Sequence, residues 1–467
     1  MTTKQKLTWL ALVGGLAASP VQAEDTNTTD DINALRQQID ALDQKVRVLE
    51  RKRELDQDAA KEAVKQPAPT TPVITAGANG FSFSSADTNF VVALHGLLQL
   101  DSRTFFKDGG IKGNDSFILR RARPILQGTV FRDFDFLFVP DFGGSTVQIQ
   151  DAYLTYRFRP ELQLRAGKFK SPVGLEQLQA DPATSFNERS LVTDLVPNRD
   201  VGVELLGDFA DGVVSYAAGI LNGAPDYSST TTNADFDDNK AFAGRLFLQP
   251  FKTTSLSALQ GLGFGVGGSY EVDRTTNAPS LTPGFTTDGQ QKFFAYSSGV
   301  AGNGTHWRLS PQGYYYYGPA SLLAEYVISD QDVSDSKGDS ADLHNTAWEV
   351  SAGWVLTGED AAYVGVSPSH SFDPLNGHWG ALQLVARYAE LNVDNAAFPT
   401  FASSSASASA AQAWAVGLNW YLNRNVRLNA SFSRTTFDIV SGAKLPSAPA
   451  VIKQSENVFF TRMQLAF

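Results

Sequence analysis

The sequence predicts an all-β fold, a 16-stranded antiparallel transmembrane β-barrel with a short N-terminal coiled-coil helix. Three observations predict it. From residue 90 onward, apolar and polar residues alternate with period 2 in segments near the length of tilted membrane-crossing strands. The links between these segments are mostly long and short in turn, with those at about 249–261 and 358–379 longer than the rule expects. Beyond the N-terminal leader no apolar run reaches the roughly 18 residues of a spanning helix, so any crossing is made by strands.

Residues 1–23 read as a secretory signal. Lys4 and Lys6 form a basic start, residues 7–18 are apolar but too few to span, and Val21-Gln22-Ala23 offers small residues before a cut at Glu24. Removing it takes the net charge from −11 to −13. That acidic balance argues against a nucleic-acid partner, which requires a basic surface. Cys is absent, which excludes disulfides, thiolate metal sites and a Cys nucleophile, and suits export to an oxidising compartment.

Residues 24–66 are read as a periplasmic helical segment. Ile32, Leu35, Ile39, Leu42, Val46 and Leu49 recur at spacings of 3, 4, 3, 4 and 3, the a and d positions of a coiled coil. So short a helix is marginal alone and needs another element to hold its copies together. Pro67, Pro69 and Pro72 break it and open a linker over 67–89.

The barrel is assigned to 90–467. Its strands are expected at 90–103, 116–129, 132–140, 147–158, 161–169, 200–208, 213–221, 241–248, 262–272, 305–317, 320–328, 346–357, 380–391, 412–422, 425–437 and 456–467. In one of them Trp414, Val416, Leu418 and Trp420 oppose Ala413, Ala415, Gly417 and Asn419. Asn423-Arg424-Asn425 then makes a tight turn into Val426, Leu428, Ala430 and Phe432 against Arg427, Asn429, Ser431 and Ser433. Residues 292–296 are read as part of a long loop. Polar rows on the second face and the lack of a propeller-length repeat argue against a soluble sandwich or propeller. Closure also satisfies every backbone group in lipid.

With the apolar face toward lipid, strand parity turns Arg103, Arg121, Arg123, Arg157, Arg165, Arg245, Arg308, Arg387, Arg427 and Arg462 into the lumen. The acids of the same parity are fewer: Asp101, Asp151, Glu204, Glu271, Glu325 and Glu349. An acidic chain thus carries a locally cationic bore, whose field follows its wall. The simpler role for any single arginine is to pair with one of these carboxylates. Acidic loop clusters, such as Asp330, Asp332, Asp335, Asp339 and Asp342, are solvated or bridge lipopolysaccharide through divalent cations.

The run from Arg120 through Gly174, with Asp151-Ala152-Tyr153, Val196-Pro197-Asn198-Arg199-Asp200, Thr357-Gly358-Glu359-Asp360 and Gly417-Leu418-Asn419-Trp420-Tyr421, resembles the phosphate-selective porins O and P. The likeness covers nearly all of 90–467 but not the heptad segment. A final strand ending in Phe467 likewise resembles the terminal signature of bacterial outer-membrane barrels. The resemblance implies a homotrimer in outer-membrane lipid, with an arginine ladder (Arg103, Arg157, Arg165, Arg245, Arg308, Arg387, Arg427, Arg462) leading to a constriction. By motif the constriction and anion-binding residues are Arg121, Asp141 and Lys168, with Arg123 and Lys170 beside them, and the link of about 170–199 folds inward.

The function expected is passive diffusion of anions, phosphate or polyphosphate, with no turnover chemistry, cofactor or metal. A less selective porin and a sugar channel using Tyr314–Tyr317 aromatics remain open. His95, His306, His344, His370 and His378 show no metal-binding spacing, and no nucleophile elbow or phosphate-cradling glycine loop occurs, so an enzyme is not expected.

Overall fold

A computed structural model describes residues 71–106, 113–144, 146–230, 238–273, 284–438 and 455–467, with parts of 44–54. The chain divides into two units, Met1–Thr70 and Thr71–Phe467. In the first, residues 44, 45, 47 and 50–54 are helical, and Arg51 pairs with Glu54 at 3.2 Å. The signal and all six heptad positions lie outside the described residues.

The second unit begins with a hairpin, β1 (Val73–Gly77) and β2 (Gly80–Ser84), followed by β3 (Val91–Phe106), β4 (Ser116–Val130), β5 (Phe134–Asp141), β6 (Gln148–Arg159) and β7 (Leu162–Lys170). Next come β8 (Arg199–Phe209), β9 (Val214–Leu221), β10 (Ala241–Leu248), β11 (Leu262–Asp273) and a small inner pair, β12 (Phe285–Thr286) and β13 (Lys292–Phe294). The wall continues through β14 (Ala301–Tyr317), β15 (Ala320–Ser334), β16 (Ser340–Val355), β17 (Ala381–Asn392), β18 (Ala410–Tyr421), β19 (Val426–Asp438) and β20 (Ser455–Ala466). Setting aside β1, β2, β12 and β13, the sixteen strands pair antiparallel in chain order. β20 pairs with β3, from Asn457↔Phe106 to Ala466↔Leu97, and closes the barrel.

Each expected strand is present. Strands β14, β15 and β16 run longer than the alternation suggested, so most of the expected link 329–345 is a tall hairpin with Asp332 opposite Asp342. Above the membrane the outer face of β15 and β16 turns polar and the inner face carries Val333 and Leu343 among polar residues, so the outward-apolar alternation disappears while backbone pairing continues. Residues 292–296 do not join the wall; β13 pairs with β12 inside a loop.

The hairpin β1–β2 lies within the stretch that the sequence reading assigned to a linker. β20 ends opposite Leu97, which leaves the first residues of β3 without a neighbour on that side. β2 fills the place, from Phe81↔Leu94 to Ser84↔Val91. The backbones of Gly96 and Phe467 exchange two hydrogen bonds just above it. A Cβ at Gly96 would stand 2.7 Å from the Phe467 ring, so a larger residue there would have to displace that ring.

Burial is inverted relative to a water-soluble domain. Leu418 is 40% exposed on the outside while its neighbour Asn419 is fully buried within. The interior is not an open tube. Segment 171–198 folds inward and packs Leu191, Val192, Leu195 and Val196 on Val327, Leu343, Ala347, Ala389 and Leu391 of the wall. Phe285, Phe293, Phe294 and Phe401 from two further loops join this cluster. The remaining space is left chiefly along β3–β9.

Candidate functional site

The site starts from a defect in one strand. Gln99 pairs with Arg121 but Leu100 pairs with Leu119, so Arg120 is an extra residue in β4. Such a bulge turns two successive side chains the same way. Arg120, Arg121 and Arg123 therefore all reach acids of the inner segment or its surroundings.

Two carboxylates on segment 171–198 organise these cations. Glu188 receives Arg120 through Nε at 2.6 Å and Nη2 at 2.9 Å, and Arg103 at 2.9 Å. Asp181, at the start of a 3₁₀ turn (Asp181–Ala183), meets Arg189 at 2.7 Å, Arg121 at 3.4 Å and the Arg123 guanidinium. Arg123 also donates to Asp141 at 2.6 Å, and Asp141 accepts the Ala122 and Gly143 N–H groups. Burial raises Asp181, but Arg121, Arg189 and Arg123 together outweigh it and hold the carboxyl well below the usual range. Burial opposes ionisation of Glu188 as well, and Arg120 with Arg103 reverses the balance. Burial raises Asp194, taking it toward its neutral form.

The segment is also pinned from the opposite wall. Glu325 accepts the Leu175 and Glu176 N–H groups at 2.8 and 2.9 Å, capping a single helical turn, and Glu176 bonds Ser190 and Arg387.

Two cavities lie on either side of this arrangement. The lower, toward the short turns, has a volume near 600 Å³, and the upper, toward the long loops, near 630 Å³. Arg123, Asp181 and Arg199 line both and form the waist between them. Arg199 pairs with Asp151 at 3.1 Å. The upper cavity carries six arginines (Arg103, Arg120, Arg121, Arg123, Arg189, Arg199) against Asp141, Asp181, Glu188 and Asp194.

The two lysines singled out by motif differ. Lys170 lines the lower cavity and donates to the carbonyls of Gln179 at 2.7 Å and Leu178 at 3.4 Å. Lys168 lines neither. It stands opposite Ala152 and Val201, shares the strand parity of Leu164 and Ala166, and donates to the Thr230 carbonyl at 2.7 Å.

The ladder arginines are dispersed. Arg103, Arg165 and Arg245 line the cavities; Arg165 pairs with Glu204 at 2.8 Å, and Arg245 bonds Gln312 and sits over the Phe247 ring. Arg308 pairs with Asp226 and Glu271, Arg387 with Glu176 and Asp288, and Arg462 with Asp101, and none of the three arginines lines either cavity. Arg427 bonds the Thr184 carbonyl and Gln464. Arg157 sits at the turn end with Asp135. Among the described residues most lumen arginines thus have a carboxylate partner, the role the sequence favoured for each singly.

Sequence reasoning missed Arg120, Arg189, Arg199, Asp181 and Glu188 as site residues. Strict alternation that turns Arg121 and Arg123 inward turns Arg120 outward with Ile118 and Ala122, and a cation there is costly enough in lipid to signal a bulge. The other four depend on how the inner segment seats, which no local pattern encodes.

Residues 92–467 match the family model described as phosphate-selective porin O and P. Porin O of Pseudomonas aeruginosa is 25% identical over 390 residues, covering 78% of this chain and 86% of that protein. The outer-membrane channel DcaP of Acinetobacter baumannii superposes with a TM-score of 0.52 at 12% identity, over 81% of this chain and 98% of its own. An anion-selective porin from Comamonas acidovorans gives 0.50 at 13% identity, over 81% and 100%. OmpT of Vibrio cholerae in a trimer form gives 0.50 at 12%, over 81% and 99%. At these identities the three structures establish the fold alone.

Proposed function

Because the chain belongs to the phosphate-selective porin O and P family, we propose that it conducts phosphate across the outer membrane, in a protein that is an outer-membrane porin passing anions by passive diffusion. The observation that carries the phosphate reading is the waist, where Arg123 and Arg199 flank Asp181 with Lys170 and Arg189 adjoining. Guanidiniums match phosphate oxygens through a planar fork, and a lysine supplies a compact charge where space is tight. The carboxylates Asp141 and Asp181 keep binding weak enough for release. No energy source is involved.

Lys170, rather than Lys168, takes the constriction role in this reading. Lys170→Gln should raise the orthophosphate concentration that half-blocks chloride current in planar bilayers about tenfold, the worth of one charge-assisted contact. Lys168→Gln should leave it within a factor of about two. Equal effects of the two substitutions would remove Lys170 from the pathway.

Three copies assemble in this proposal, supported by the trimer form of the structurally similar OmpT. The leader is removed on export, and the heptad segment joins the three chains in the periplasm. Lipid surrounds the outer wall, and lipopolysaccharide meets the acidic long loops.

A further inference from the structure

We propose that the upper cavity selects hydroxylated organic monophosphates, with sugar phosphates as the type, over bare orthophosphate; this rests on the anion-channel reading above. Three observations lead to it. The first is size: a cavity near 630 Å³ falls in the ~300–1,000 Å³ range of sites that enclose whole organic ligands. Orthophosphate alone would leave most of it to water.

The second is the state of the cations. Arg103 and Arg120 share Glu188, and Arg121, Arg123 and Arg189 share Asp181. An arriving phosphate finds no bare guanidinium, only the spare N–H groups of arginines already engaged. Arg103 Nη1, Arg120 Nη1 and Arg123 Nη2 are such donors, making no hydrogen bond among the described residues. They hold one phosphoryl group, and the carboxylates beside them leave little net positive charge for a polyanion.

The third is the wall beside the arginines. Gln148 and Gln150 line the cavity from β6, and their side-chain amides make no hydrogen bond among the described residues. Thr146 and Ser229 add hydroxyls that are likewise unengaged. Each amide both donates and accepts, as sugar hydroxyls do. Orthophosphate offers this wall at most one or two P–OH groups, whereas a sugar phosphate places its phosphoryl on the arginines and several hydroxyls on this wall.

The test is titration of glucose 6-phosphate, orthophosphate and glucose against chloride current through the purified full-length protein in planar bilayers. The expected result is half-block by glucose 6-phosphate at about one-fifth the concentration needed for orthophosphate, the worth of one net hydrogen bond, and no block by glucose. The double variant Gln148→Leu with Gln150→Leu should erase that fivefold gap and leave the orthophosphate value in place. Equal or tighter block by orthophosphate overturns the inference, as does a gap that survives the double variant. Block by glucose matching that by its phosphate makes the site a sugar site and overturns it too. Reversal potentials in the same bilayers keep the two levels apart. A cation-selective pore defeats the anion reading itself, whereas a chloride-selective pore with the wrong solute order defeats only this inference.

Discussion

Asp181→Asn should lower the orthophosphate concentration that half-blocks chloride current by about tenfold or more. Among the described residues Asp181 is the one carboxylate that lines both cavities, and three guanidiniums converge on it. Asparagine keeps its shape and removes one negative charge at the waist. Two unit charges about 4 Å apart interact by ~4 kcal/mol at an effective dielectric of 20, so even a heavily screened fraction of that suffices for a tenfold change. The substitution also leaves buried cations short of a partner, typically worth about 3–5 kcal/mol against local stability. Segment 171–198 has independent anchors in its Leu191–Leu195 turn packed on the wall and in the Glu325 and Glu176 contacts, so it stays in place. An unchanged or higher half-blocking concentration would show that Asp181 does not set the charge met by the passing anion.

Val416→Arg should cost about 2–4 kcal/mol of folding free energy in bilayers, the range for a cation on the lipid face near mid-membrane. Val416 lies midway along β18, outward, between Ala386 and Phe432 on the neighbouring strands. Gln127→Arg places the same group on the inner face, where Gln127 lines the lower cavity, and should change stability by no more than about 0.5 kcal/mol. Reversible urea unfolding of both variants in lipid vesicles gives the comparison. Equal losses would mean that the apolar face is not the one in hydrocarbon.

The wall was legible because lipid imposes a rule on every residue of a strand. Trp414, Val416 and Leu418 can only face out if Ala413, Ala415 and Gly417 face in, and the sixteen segments follow this rule apart from local bulges. The rule is silent where its cause is missing. Above the membrane β14–β16 continue as paired strands, β15 and β16 with a polar outer face and with Val333 and Leu343 inward, so the outward-apolar alternation that would announce them is gone. The β1–β2 hairpin has two five-residue strands whose place depends on where β20 stops, hundreds of residues later. Parity assembled the right pool of charges but not the pairs: Arg462 and Asp101 are 361 residues apart and meet only because the last strand closes on the first. At the site, one bulge at Arg120 overrides alternation. The seating of segment 171–198 decides which arginines meet the cavities. That choice rests on packing of Leu191, Val192 and Leu195 against a distant wall, an interaction no local motif records.

The central claim is that cationic side chains on the inner wall, and not the net acidity of the chain, decide which ions pass. The measurement that tests it most directly is the zero-current potential of the purified wild-type protein in a planar bilayer separating dilute from concentrated potassium chloride. The account predicts the sign set by chloride moving faster than potassium. The opposite sign would contradict it.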